Sequence, residues 1–281
     1  MLFFKLLLVT NLCLVSSYKI LCLFPHRGRS HFEVVRTLIE TLAHKGHEVT
    51  LLSHFPLTTT PPNFTHVLLR NSSVLFNVLD MHQFKGRRTE KWFSTRDSAL
   101  NFVTITCEYD FNSPTVRNFL ETCNTDFDVI ITQILSNDCF FSFARKFQAP
   151  IVGVLPVKWL TWVDGYFGNP THPAYVGNLI LDYGKRLSFF ERVENLIIGM
   201  MHIWWHKNWI GERGHDVAKK YFGADVPAFQ DFAMNMSLVL VYQHFSLNFA
   251  RPFVPGIVEV GGMHIGPEKD LAKVRTFFNL V

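Results

Sequence analysis

Residues 18–53 begin Tyr18-Lys19-Ile20-Leu21-Cys22-Leu23-Phe24, continue Pro25-His26-Arg27-Gly28-Arg29-Ser30-His31-Phe32-Glu33-Val34-Val35, and close on Glu48-Val49-Thr50-Leu51-Leu52-Ser53. The first run is compact and apolar, the pattern of a buried strand. Pro25 to Ser30 is a loop by its Pro, Gly and polar content. His31 then opens a helix, because Phe32, Val35, Leu38, Ile39 and Leu42 recur at helical spacing. Ser30 and Glu33 have the spacing of a capping box, and Gly46 is a natural stop. Glu48–Ser53 is a second strand. Strand, loop, helix and strand within about 35 residues make a βαβ unit of a parallel sheet.

The same alternation recurs further on. Phe127–Thr132 reads as a strand, Asp138–Phe147 as a helix and Ile151–Leu155 as a strand, which predicts an α/β domain with helices on both faces. Residues 86–122 look helical, and residues 164–185, rich in Gly, Pro, Asn and Tyr, look like a long loop. Ser188–Trp209 is a strongly apolar helix with three tryptophans, Trp204, Trp205 and Trp209. It reads either as a helix packed on the sheet or as a peripheral contact with a membrane surface. Ser237–Tyr242 and Ile257–Val260 are the last strands.

The N-terminus has the pattern of a targeting segment. Lys5 precedes an apolar run from Leu6 to Val15, and small residues follow at Ser16-Ser17. Residues 1–17 therefore read as a signal peptide. Entry to the secretory pathway makes Asn63, Asn71 and Asn235, each in an Asn-x-Ser/Thr triplet, candidate glycosylation sites. Of five cysteines, Cys13 would leave with the signal. Cys22, Cys107, Cys123 and Cys139 would remain, with no pairing assigned. The net charge of +4 is modest and carries no concentrated basic patch, so nucleic acid is not expected as a partner. Lys85-Gly86-Arg87-Arg88 reads as a solvated loop.

Ligands of doubly wound sheets sit outside the carboxyl ends of the strands. The loop after the first strand is therefore the best-placed site. His31, at a helix N-terminus, is kept from becoming imidazolium by the dipole, as a general base must be. On the residues alone, a surface or capping histidine is the favoured reading. Gly28 would let a ligand approach the backbone. A base needs an orienting acid, and Asp138, after the strand ending at Thr132, is the candidate; it reads also as a helix cap.

Other chemistry lacks its motif. No Gly-x-Gly-x-x-Gly follows the first strand, and no Gly-x-Ser-x-Gly elbow exists, which argues against nicotinamide or flavin enzymes and serine hydrolases. His202 and His206 stand four apart, but Ile203 occupies the place where a zinc protease carries Glu, so packing against aromatic rings is expected there and no metal is assigned.

Taken in order, several blocks resemble the UDP-glycosyltransferases of animals, nearest the insect type. They are Ile20–Pro25, Gly28-Arg29-Ser30-His31-Phe32, His44–Thr50, Phe127–Thr132 with Asp138-Cys139, His172–Val176, Ser188–Arg192, and Met236–Ser246 with Arg251-Pro252 and Glu259–Gly262. The resemblance implies the N-terminal, acceptor-binding Rossmann-like domain of a two-domain GT-B enzyme, here residues 18–265, with 266–281 a truncated linker or tail. It implies that a hexosyl group passes from a UDP-sugar to a small lipophilic hydroxyl compound, with His31 as base and Asp138 as its acid. No cofactor is implied; the UDP-sugar is a co-substrate, bound only if a C-terminal domain is supplied. It implies the endoplasmic reticulum lumen as location, and homo- or hetero-oligomers as partners. Many relatives place the acid where this chain has Gln133. The family's donor-binding half and membrane anchor are absent from these 281 residues. An inactive acceptor-binding or regulatory isoform, pairing with full-length enzymes, is the alternative.

Overall fold

The computed structural model describes residues 17–57, 60–69, 104–135, 137–178, 181 and 186–266. The signal segment up to residue 16, Asn71, the basic run 85–88 and residues 267–281 lie outside the described residues.

The predicted βαβ unit forms. β1 (Lys19–Phe24), α1 (Arg29–His44) and β2 (Glu48–Ser53) follow one another, with Cys22 opposite Leu51 in a parallel register. Gly46 ends α1 at φ +92°, a conformation that suits glycine. The capping box does not form. The helix starts at Arg29, capped by Gly28, whose carbonyl accepts from the backbone N–H of His31 and Phe32. Ser30 turns to the His31 ring instead, and Glu33 pairs with Arg29 and Arg36. His31 thus lies inside the first turn, two residues later than its predicted place.

β3 (Phe64–Leu68) pairs with β2 at the edge of the sheet. Its residues alternate poorly, and it was not evident in the sequence. A π-helical stretch (Thr104–Tyr109), a short turn (Asp110–Asn112) and α2 (Pro114–Thr122) follow. Then come β4 (Val129–Gln133), a 3-10 turn (Asp138–Ser142), α3 (Phe143–Phe147) and β5 (Ile151–Leu155). After a long loop, α4 (Phe189–Trp205) runs through a π-helical stretch (His206–Gly211) into α5 (Glu212–Phe222). Here Ser188 and Glu191 do form a capping box. α6 (Phe229–Met234), β6 (Leu238–Val241), α7 (Phe245–Asn248) and β7 (Ile257–Glu259) complete the fold.

The sheet is a Rossmann-like parallel sheet of seven strands, in the order β3-β2-β1-β4-β5-β6-β7. Helices cover both faces, as the alternation predicted. On one face Ile20, Cys22 and Phe24 pack against Phe32, Val35 and Ile39 of α1. On the other, Leu21 and Leu23 meet Phe111, Phe140, Phe143, Trp205, Ile210 and Val217. The strand order reverses between β1 and β4, so the crevice of the fold opens between the loops that follow these two strands.

α4 turns the usual pattern inside out. Its buried residues are Asn195, Gly199, His202 and Trp205, while Phe189 and Phe190 are 71% and 80% exposed and Trp204 is 59% exposed. Asn195 explains the polar interior: it binds the carbonyls of Pro173 and Val176 and the N–H of Asn178. The irregular loop beneath the helix needs such partners for its backbone. The helix therefore packs on the protein with its polar face, which corrects the expectation of an apolar face buried on the sheet.

Candidate active site at the switch point

His31 is held in the first turn of α1 at the crevice. The His26 ring stacks on it, with centroids 4.1 Å apart. Its Nδ1 lies 3.3 Å from Ser30 Oγ. When that nitrogen donates to the hydroxyl, Nε2 carries the lone pair. Nε2 makes no hydrogen bond among the described residues, so it is available to an incoming proton. Burial pushes the His31 pKa below 6.5, which keeps the ring neutral near pH 7.

His26 is fixed just as closely. Its Nδ1 accepts from the N–H of Gly28 at 2.8 Å. Burial, and then the neighbouring His31 and His54 rings, hold its pKa well below the usual imidazole value. Gly28 is needed for space rather than for its φ of −84°. A Cβ there would lie 2.6 Å from His26 Cε1 and 3.0 Å from His31 Nδ1. The close approach that Gly28 allows is therefore that of two histidines, His26 of its own loop and His31 of α1, and not only that of a ligand.

A buried charged group lies behind this pair. Arg27 forms an ion pair with Asp110 Oδ1, their side chains 5% and 3% exposed. His54, just after β2, places Nε2 3.3 Å from Asp110 Oδ2 and Nδ1 3.1 Å from the Leu69 carbonyl. Sequence reading missed His26, His54 and Asp110. The two histidines carried a signal, since each directly follows a strand or its closing proline at the carboxyl end of the sheet. Asp110 carried none.

Asp138 stands apart. It begins the 3-10 turn after β4, and Asn137 holds the cap position. It is buried, and burial raises its pKa from 3.8 to about 7. Oδ2 has no hydrogen-bond partner among the described residues. Its surroundings are Gly211 and Gly214 of the opposite helix, where a Cβ would come within 4.0 Å of Oδ2 and 3.5 Å of its Cβ. Among the described residues no hydrogen bond or ion pair joins it to His31. Gln133, at the end of β4, is buried, and its Nε2 has no partner among the described residues. Cys139 is bonded to Cys107, while Cys22 and Cys123 are free. Asn63 and Asn235 are both exposed. His202 and His206 pack on the Trp162 ring, as expected from the sequence.

Comparison with known proteins agrees with the resemblance in the motifs. The family model described as UDP-glucoronosyl and UDP-glucosyl transferase matches residues 18–279. UDP-glucosyltransferase 2 of Dactylopius coccus is 30% identical over 88% of this chain and 48% of its own length. Human UDP-glucuronosyltransferase 2B15 is 24% identical over 87% and 49%. The chain thus spans about half the length of the curated relatives it matches. Among solved structures, the calicheamicin glycosyltransferase CalG4 aligns with 88% of this chain and 52% of its own, at 14% identity and a TM-score of 0.41. By the family match over nearly its whole length, this chain belongs to the UDP-glucuronosyl and UDP-glucosyl transferases.

Proposed function

We propose that this chain is the acceptor-binding half of a UDP-glycosyltransferase that moves a hexosyl group from a UDP-sugar to a small lipophilic hydroxyl compound. The observation that carries this reading is His31: an imidazole at the switch-point crevice, kept neutral by burial, with Nδ1 on Ser30 and no hydrogen bond to Nε2 among the described residues. In the proposed reaction Nε2 removes the acceptor proton as the acceptor oxygen attacks the sugar carbon and UDP departs. Asp138 is the acid that the proposal pairs with this base. A carboxyl that titrates near pH 7 is suited to holding or passing a proton. The relatives' names support the donor class: UDP-glucosyltransferase for the insect protein and UDP-glucuronosyltransferase for the human one.

The proposal extends to place. Among the described residues no helix is long and apolar enough to cross a membrane. The outward apolar face of α4, from Phe189 to Trp204, supports peripheral contact with a lipid surface in the lumen of the endoplasmic reticulum. The donor half is expected from the part of UDP-glucosyltransferase 2 that this chain does not cover. The test joins residues 18–266 to that part and supplies UDP-glucose and a phenol. The reading predicts glucoside formation by the joined protein and none by the 281-residue chain alone. No product from a folded joined protein, or turnover by the chain alone, contradicts it.

A further inference from the structure

We propose that Asp110 is the positioning acid of this site: with Arg27 and His54 it pins the loop 25–28, and through the stacked His26 ring it holds His31 in place. The proposal rests on the reading of His31 as the base.

The chain of contacts runs from the far face of the sheet to the crevice. Asp110 sits three residues after Cys107, which the disulfide ties to Cys139. Its carbonyl is held by the N–H and Oγ of Ser113, at 3.1 and 2.7 Å. Both carboxylate oxygens are used, Oδ1 by Arg27 and Oδ2 by His54. The two partners come from different loops, one after β1 and one after β2. One buried acid therefore fastens both loops that precede the switch point.

His54 adds a direction to the fastening. The Leu69 carbonyl can only accept a hydrogen bond, and so can a carboxylate oxygen. His54 bridges the two, with Nδ1 on the carbonyl and Nε2 on the carboxylate. The His54 ring is near enough to His26 to contribute to its low pKa, after burial and His31. His26 stays neutral, accepts from Gly28 N–H and lies flat on His31. Ser30 and the His26 ring face His31. Among the described residues no carboxylate touches the base; the acid acts through the loop.

The test uses histidine ring nitrogen spectra of the 281-residue chain, with His26 and His31 assigned by single substitutions. Asp110→Asn keeps the shape and removes the charge. His54→Gln is the second variant, for use if Asp110→Asn does not fold. If Asp110 positions the rings, both variants mix the His26 tautomers, and His31 becomes hydrated. Its titration midpoint then climbs toward 6.5. Simple loss of a nearby negative charge moves that midpoint the other way. Asp110→Glu, which keeps a carboxylate, brings the signals back toward wild type. Asp225→Asn, which removes the exposed partner of Arg145, leaves them unchanged. Unaltered His26 and His31 signals in folded Asp110→Asn or His54→Gln, or a lowered His31 midpoint, overturn the proposal. The base reading fails by a separate result, normal transfer by His31→Ala, which these spectra do not touch.

Discussion

At His31 the geometry predicts the pH dependence of transfer. A base works in its unprotonated form, and burial lowers the His31 pKa below 6.5. The sign follows directly: activity is lost as pH falls through that lowered value and is flat above it. The acid limb of kcat/KM should therefore have its midpoint below 6.5. A limb centred above 7 contradicts this account of the base. His31 itself was legible in the sequence, because strand, loop and helix N-terminus can be read from apolar spacing. Its partners were less so. His26 and His54 sit at strand ends, yet only the fold shows the first stacked on His31 and the second turned toward Asp110. Asp110 is some 80 residues away in the chain, and nothing local marks a residue whose role comes from a contact made in three dimensions.

At the scale of elements, the segment after β4 decides where Asp138 can act. Gly211 and Gly214 give the helix opposite no side chains, so the 3-10 turn and its disulfide fit closely beneath it. Asp138 is thereby taken out of water. Its folded pKa of about 7 lies above the 3.8 of the free side chain. A raised pKa means that the folded state keeps a proton which the unfolded chain has released. Stability from this group is complete below about pH 3.8 and falls as pH rises toward 7. The gap corresponds to a few kcal/mol, roughly 4 at most. Asp138→Asn cannot ionise, so its stability relative to wild type should grow steadily between pH 4 and pH 7. A constant difference across that range, measured by urea unfolding, counts against a buried, protonated Asp138. Strands with strong apolar runs, such as Glu48–Ser53 and Ile151–Leu155, were legible to the residue. β3 was not, since Thr65 and His66 break its pattern on a half-buried edge. α5 was hidden because it continues α4 through a π-helical stretch, where the spacing of apolar residues shifts.

At the scale of the whole molecule, parallel order with a switch between β1 and β4 was implicit in the alternation of elements. The inverted α4 was not, because composition records that a helix is apolar but not which way it faces. Exposed Phe189, Phe190, Leu196, Ile197, Met200 and Trp204 lie at spacings that share one side, along about 25 Å of helix. The proposed lipid contact predicts that the chain floats with phospholipid vesicles. Replacing Phe189, Phe190 and Trp204 by Ser should reduce the bound fraction several-fold while leaving the fold intact, since these side chains touch solvent. Equal flotation of the triple variant contradicts the contact.

The central claim is that His31 is the base of a sugar transfer from UDP. The most direct measurement is glucoside formation by His31→Ala in the protein joined to a donor-binding half, beside acceptor and UDP-glucose affinities of the same variant. Removing a general base should lower turnover about 10²- to 10⁴-fold while both affinities stay within a few-fold of wild type. Turnover equal to wild type, in a folded variant that still binds both substrates, would contradict the claim.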